Sequence, residues 1–230
     1  MKIAIMGAMV EEIEPLLEFF KDYEVVEHAG NKYYLASYKG LDLVIAYSKI
    51  GKVFASLTAS VMIEKFGAEK LLFSGVAGAI NPSLNIGDLI VATALCQHDV
   101  DIMAFGHPAG FIPEGKLCIN ADRELIDIAK DVAKEMDKPL KEGVIATGDQ
   151  FIADENRKNW IGKTFDADAL EMEGASVAVI CDCYDVPFFV LRAISDSADM
   201  DANFNFDEFL KSSAKESADF VISMLDKIAD

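Results

Sequence analysis

The stretch Val186-Pro187-Phe188-Phe189-Val190-Leu191 offers no polar residue to either face of a strand, and it runs directly into Arg192-Ala193-Ile194-Ser195-Asp196. A strand apolar on both faces has to be covered on both, which places it inside a sheet flanked by helices and confines the chain to α/β architectures. In such sheets ligands bind in the crevice beyond the carboxyl ends of the strands, so the residues after Leu191 are expected to face it. Arg192 and Asp196 are then either an ordinary ion pair at a strand terminus or the wall of a site. The chain holds only three arginines, Arg123, Arg157 and Arg192, so one at the end of a buried strand is a selected placement.

The remainder of the chain alternates in the same sense. Residues 2–6 read as a strand, Gly7-Ala8-Met9 as a turn, and the helix that follows carries Ile13, Leu16, Leu17 and Phe20 at helical spacing. Residues 33–38 and 41–47, separated by Lys39-Gly40, form a predicted hairpin. A helix is predicted from about residue 52 to 66, with Val53, Leu57, Val61 and Met62 as one apolar stripe. Residues 71–74 read as a buried strand ending in a Gly75-Val76-Ala77-Gly78 turn, whose glycines allow backbone to approach a ligand closely. Further strands are predicted over 88–92, 142–146 and 169–172, and helices over 122–135, 174–183 and 206–228, the last with Asn205 as N-cap and Glu208 as its capping partner. Residues 97–113 lack periodicity and form a long loop, a candidate lid or subunit contact. These elements predict one domain over residues 1–230, a three-layer α/β/α arrangement with a central mixed β-sheet.

Charge narrows the function. Against 21 lysines and arginines stand 39 acids, a formal charge of −18, which opposes binding to nucleic acid or to an anionic membrane, since such binding rests on cations neutralising phosphates. No apolar run approaches the roughly 20 residues of a membrane span and no charged-then-apolar leader opens the chain, so a cytoplasmic location is expected. Cys96, Cys118, Cys181 and Cys183 are too few and too irregular for a disulfide framework and read as buried free thiols. His28, His98 and His107 are scattered without metal-ligand spacing, and neither a metal nor another cofactor is expected.

Gly7-Ala8-Met9-Val10-Glu11-Glu12 sits where a dinucleotide-binding protein places its glycine loop, yet only the first glycine is present and two carboxylates occupy the place of a pyrophosphate. Helix-start preference accounts for Glu11. Glu12 is either the same or an ionised carboxylate placed to orient and deprotonate water. Leu170-Glu171-Met172-Glu173 puts two acids at a strand-to-helix junction, on one side if the strand continues. There one of them is suited to accept hydrogen bonds from vicinal hydroxyls such as those of ribose, or simply caps the helix. Phe151 and Phe206 are either core residues or two faces for a planar base. The Gly-x-Ser-x-Gly pattern of a serine nucleophile does not occur.

In chain order, Gly7-Ala8-Met9 with Glu11-Glu12, Ser48-Lys49-Ile50-Gly51-Lys52, Ser74-Gly75-Val76-Ala77-Gly78, Gly148-Asp149-Gln150-Phe151, Glu171-Met172-Glu173 and Arg192-Ala193-Ile194-Ser195-Asp196 resemble the bacterial 5′-methylthioadenosine/S-adenosylhomocysteine nucleosidases. The resemblance implies a nucleoside phosphorylase-like fold, a homodimer, and cofactor-free hydrolysis of the N-glycosidic bond of 5′-substituted adenine nucleosides. It assigns Asp196 as the acid that protonates purine nitrogen 7, helped by Ser195, and Glu12 as the group holding the attacking water, with Arg192 beside them. Glu173 would accept the ribose hydroxyls, Met172 pack on the sugar, Phe151 stack on the base and the Ile152 main chain read its edge. Met9, Ile50 and Phe206 would line the pocket, with Ala77, Gly78 and Glu171 completing the binding set. Ile102, Phe105 and His107 would reach the partner subunit's 5′ site. Two positions depart from the family pattern: His107 stands where a tyrosine is common, and Val76 replaces a common serine, removing its side-chain hydrogen bond. The rivals are a purine nucleoside phosphorylase of the same fold, for which Lys49 and Lys52 are the available cations, and a noncatalytic nucleoside-binding protein. Among methylthio, homocysteinyl, hydrogen and the 5′ group of 6-amino-6-deoxyfutalosine, the sequence between Ile102 and Pro113 is expected to choose.

Overall fold

The computed structural model describes residues 1–196 and 206–229, with backbone alone for Asp196 and for residues 206–208. The expected cap at Asn205 lies outside the described residues, as do the side chains of Asp196 and Phe206. In chain order the elements are β1 (Lys2–Gly7), α1 (Val10–Phe20), β2 (Glu24–His28), β3 (Asn31–Tyr38), β4 (Leu41–Tyr47), α2 (Lys52–Glu64), β5 (Lys70–Ala79), β6 (Leu89–Gln97), β7 (Cys118–Asn120), α3 (Arg123–Glu135), β8 (Leu140–Thr147), α4 (Glu155–Phe165), β9 (Ala169–Glu171), α5 (Gly174–Cys183), β10 (Phe188–Asp196) and α6 (Phe206–Ala229).

The mixed sheet is present, and part of it closes on itself. β5 pairs with β10, β10 with β6, β6 with β8, β8 with β9, and β9 returns to β5, while β1, β4, β3 and β2 extend from β5 as an open sheet. β1 lies between two parallel neighbours, β4 and β5, and is buried from Ile3 onward, which is why its sequence runs apolar without alternation. α1 and α3 pack against α6, and α2 packs against α5, giving the helical layers.

Two strands run further than their apolar segments. Gly75-Val76-Ala77-Gly78 is not a turn: it continues β5, because β10 pairs with it residue by residue. β10 likewise does not end at Leu191. Arg192 is an interior strand residue, opposite Gly75 on one side and Ile90 on the other. The ladder breaks only between Ile194 and Asp196, a bulge that leaves Ser195 unpaired and re-aims the strand end.

The stripe assigned to α2 also divides. Val61 and Met62 are buried, but Val53 and Leu57 face outward, while Ala55, Thr58 and Ala59 fill the inward face. Three elements escape the apolar pattern: β2 is a largely exposed edge strand, β7 is very short, and α4 is mostly polar and buries only Ile161 and Phe165.

Candidate active site

The ends of β1, β5, β9 and β10, with the loops after β4 and β8, surround a cleft of about 330 Å³. Its walls are mostly apolar, from Met9, Ile50, Val76, Phe151, Ile152 and Met172, and its polar groups are few: Glu12, Glu171, Glu173, Ser195 and Gln150. That balance suits a ligand with a flat apolar part and a few hydroxyls.

Glu12 is the third residue of α1 after its N-cap Met9, and its carboxylate turns back toward the cap. Its Oε2 accepts from the Ala8 and Met9 N–H groups at 2.6 and 3.0 Å, and its Oε1 accepts from the Val76 N–H at 3.2 Å. The Val76 backbone thus contributes a donor although its side chain has no hydroxyl. Burial pushes the Glu12 pKa above the ordinary carboxylate value, opposed by the Arg192 charge and by the three N–H groups. A carboxylate balanced in this way is suited to take up a proton and release it again.

Beneath the cleft lies Arg192, 1% exposed, with its guanidinium 4.1 Å from the centroid of the Phe73 ring and donating to Glu171 Oε2 at 2.7 Å. Gly75 makes room for this arrangement. A Cβ there would stand 2.7 Å from Glu12 Oε1 and 3.3 Å from Arg192 Nη1, so the glycine opposite the arginine lets the two charged groups share one space. Glu171 is saturated by the protein: Oε1 accepts from the Thr147 hydroxyl, and Oε2 accepts from the Glu173 and Gly174 N–H groups as well as from Arg192. It lines the cleft, but its acceptors are spent on holding Arg192 and the start of α5.

The strand ends at Glu171, so Glu173 does not continue its alternation and instead sits at the N-cap of α5. Its Oε1 accepts from the Gly51 N–H at 2.8 Å. Gly51 has φ +101, a conformation that excludes most side chains, and its N–H opens α2. Burial first, and then repulsion from Glu171, push the Glu173 pKa up to about 7. The next N–H of α2, from Lys52, donates to Asp149 Oδ1 at 2.7 Å, so one helix start holds both Glu173 and the loop that carries Phe151.

Ala77, Gly78, Met9, Ile50, Ile152 and Met172 all line the cleft, and Ser195 joins them with its Oγ 3.3 Å from the Ala77 carbonyl. Phe151 and Ile50 stand at the mouth, 75% and 54% exposed. Ile102, Phe105 and His107 do not line it; Phe105 is 82% exposed and His107 leans on Phe111 with ring centroids 5.6 Å apart. Sequence reasoning passed over Thr147 and the Gly51 N–H. Only the register of β8 against β9, which pairs Thr147 with Glu171, and the φ of Gly51 bring these to notice.

Residues 2–226 match the family model described as the phosphorylase superfamily. The chain belongs to that superfamily. Among its relatives is the aminodeoxyfutalosine nucleosidase of Campylobacter jejuni, 60% identical over 99% of this chain and 100% of that protein. A crystal structure of the Campylobacter jejuni 5′-methylthioadenosine/S-adenosylhomocysteine nucleosidase superposes with a TM-score of 0.97 at 60% identity, covering 99% of each chain. The native structure of the Helicobacter pylori futalosine hydrolase superposes at 0.94 with 52% identity, over 98% of this chain and 97% of that one. The resemblance carried by the six motifs is thereby borne out, as is the nucleoside phosphorylase-like α/β fold.

For this superfamily member the Glu173 pKa has a consequence for stability. The folded state binds the Glu173 proton more tightly than the unfolded chain does, so between pH 4.5 and about 7 its contribution falls as pH rises, and above about 7 the ionised group is a net cost. Glu173→Gln keeps an acceptor for the Gly51 N–H without the charge. It is expected to raise the melting temperature of the ligand-free protein at pH 8 and leave it nearly unchanged at pH 5; equal shifts at both values would contradict the raised pKa.

Proposed function

We propose that this chain hydrolyses the N-glycosidic bond of 5′-substituted adenine nucleosides, with 6-amino-6-deoxyfutalosine, 5′-methylthioadenosine, S-adenosylhomocysteine and 5′-deoxyadenosine as candidate substrates. The observation that carries the proposal is the buried Glu12 carboxylate, fixed by three main-chain donors at the floor of an apolar cleft. As the bond between sugar C1′ and base N9 breaks, its electron pair passes to adenine. Asp196 gives a proton to N7, and water adds to C1′ while Glu12 takes the proton it loses. The sugar is cationic at that moment, and Glu12 and Glu173 supply negative charge around it. Glu173 accepts from the ribose hydroxyls, Met172 packs on the sugar, and Phe151 stacks on the base beside the Ile152 main chain.

Phosphorolysis fits the same cleft poorly. Lys52 is committed to Asp99 at 2.6 Å, and Lys49 lies 4.9 Å over the Phe54 ring and donates to the Gly30 carbonyl; neither lines the cleft, whose charged groups are carboxylates. The working unit is proposed as a homodimer. Val53 at 76% exposure and Phe105 at 82%, with Phe54, Leu57 and Ile50, leave apolar side chains exposed on the start of α2, the loop before it and the 97–117 segment. In that arrangement Ile102, Phe105 and His107 serve the partner's 5′ site rather than their own. No helix among the described residues is long and apolar enough to cross a membrane, and the four free thiols suit the reducing cytoplasm, where we place the protein.

Adenine release in phosphate-free buffer tests the reaction. The rate is expected to be the same with and without phosphate, and Asp196→Asn is expected to lower kcat by about 10²–10⁴-fold. Strict dependence on phosphate would convert the assignment to a phosphorylase. Nucleoside binding without adenine release by the unmodified protein would convert it to a binding module.

A further inference from the structure

Cys96 and Cys118 are direct partners in the antiparallel ladder of β6 and β7. Residues opposite one another on paired strands point to the same face, with Cα atoms about 4.5–5.5 Å apart. That separation falls within the range of about 4.4–6.8 Å that a disulfide spans. Both thiols are free, Cys96 buried and Cys118 half-buried, and each sets the other's proton affinity. Their contact, with burial added, holds the proton on Cys96; the same contact lets Cys118 give its proton up below the ordinary thiol value. The more accessible partner is therefore the better nucleophile. Cys181 and Cys183, two apart on α5, do not face each other.

The position of the pair gives it leverage. Cys96 and Cys118 flank residues 97–117, the segment carrying Ile102, Phe105 and His107, at its two ends. They also share a small apolar cluster with Ala109 of that segment and with Ile152, which lines the cleft.

We propose that Cys96 and Cys118 are a reversible dithiol–disulfide site, oxidised by hydrogen peroxide, that fastens the base of the 97–117 segment and, in the proposed homodimer, changes which 5′ substituents the partner subunit's cleft accepts. The Cys118 thiolate attacks one peroxide oxygen, the O–O bond breaks, and hydroxide leaves with the proton Cys118 had lost, forming a sulfenic acid and water. The Cys96 sulfur then attacks Cys118 Sγ, its own proton joins the departing hydroxide as a second water, and the disulfide forms. Two thiols and one peroxide yield one disulfide and two waters. The bond-forming step is independent of the proposed reaction; the effect on 5′ selectivity rests on it.

Peroxide treatment of the folded, full-length protein, followed by alkylation and peptide mass mapping, reads the bond. Expected are a cross-linked pair of peptides containing Cys96 and Cys118, and a severalfold shift in the ratio of kcat/KM between nucleosides with large and with small 5′ groups. Dithiothreitol reverses both, and Cys118→Ser prevents both while keeping the activity of the reduced protein. If the unmodified protein only binds nucleosides, the ratio of Kd values reads the same shift, so failure of the hydrolase assignment is seen separately. Alkylatable Cys96 and Cys118 after oxidation, or a bond that leaves the ratio unchanged, would overturn the proposal.

Discussion

Glu12→Gln is expected to lower kcat for adenine release by about 10³-fold, within the range general bases supply, while the protein stays folded. The amide keeps one oxygen for the Ala8 and Met9 donors, but its NH2 then meets the Val76 N–H, donor against donor, and no group remains to take a proton from water. Stability is expected to change little, because the substitution removes a charge that burial already penalises. The pH profile gives the same assignment a second reading. With its pKa raised by burial, Glu12 loses its ionised form as pH falls, so kcat should decline on the acid side at a pH above that of an ordinary glutamate, and this limb should vanish in the variant. Gly75→Ala separates position from chemistry: its Cβ would press on Glu12 Oε1 at 2.7 Å and displace an intact carboxylate, lowering kcat far more than it raises KM. A glutamine variant that retained its rate would remove Glu12 from the mechanism.

How much of this was legible in the sequence depends on the kind of signal each element carries. β1, residues 43–46 of β4 and the first part of β10 are buried on both faces, and unbroken apolar runs announce such strands. The same signal stops at Arg192, although the strand does not, because the partner that tolerates a buried guanidinium is Gly75, more than a hundred residues earlier, and the acid that neutralises it is Glu171 on yet another strand. Closure of the sheet through β9 is illegible for the same reason: it depends on a pairing of only Ala169 and Leu170 with Ala79 and Gly78. The resemblance singles out Glu173 as the ribose acceptor, whereas the residues by themselves leave Glu171 and Glu173 alike, and only their partners in the fold separate them. Both acids end an apolar segment, yet one is consumed by Thr147, Arg192 and two N–H groups, and the other is held at a helix start beside the cavity. The outward face of α2 is illegible for a different reason: Val53 and Leu57 have core composition yet lie on the surface.

The largest expected effect on stability comes from the ion pair under the cleft. Either Arg192→Met or Glu171→Gln is expected to cost about 3–5 kcal/mol, the range for breaking one side of a buried pair. Met replaces the packing of the guanidinium on Phe73 but leaves the Glu171 carboxylate, 3% exposed, without its counter-ion; Gln at 171 strands a fully buried guanidinium. The two substitutions combined should cost less than the sum of the singles, since each single variant leaves a charge that the other removes. Arg192 also lowers the pKa values of Glu12 and Glu173, so its loss moves both further upward. With folded-state pKa values raised still more, the Arg192→Met protein binds protons more tightly folded than unfolded, and its deficit should shrink as pH falls from 8 to 5, the range over which Glu173 becomes neutral. Urea unfolding at the two pH values, with an unchanged dependence on denaturant, measures this. A deficit equal at both would mean that Arg192 holds the site by packing alone, and that the charge opposite Gly75 has no part in setting when Glu12 and Glu173 ionise.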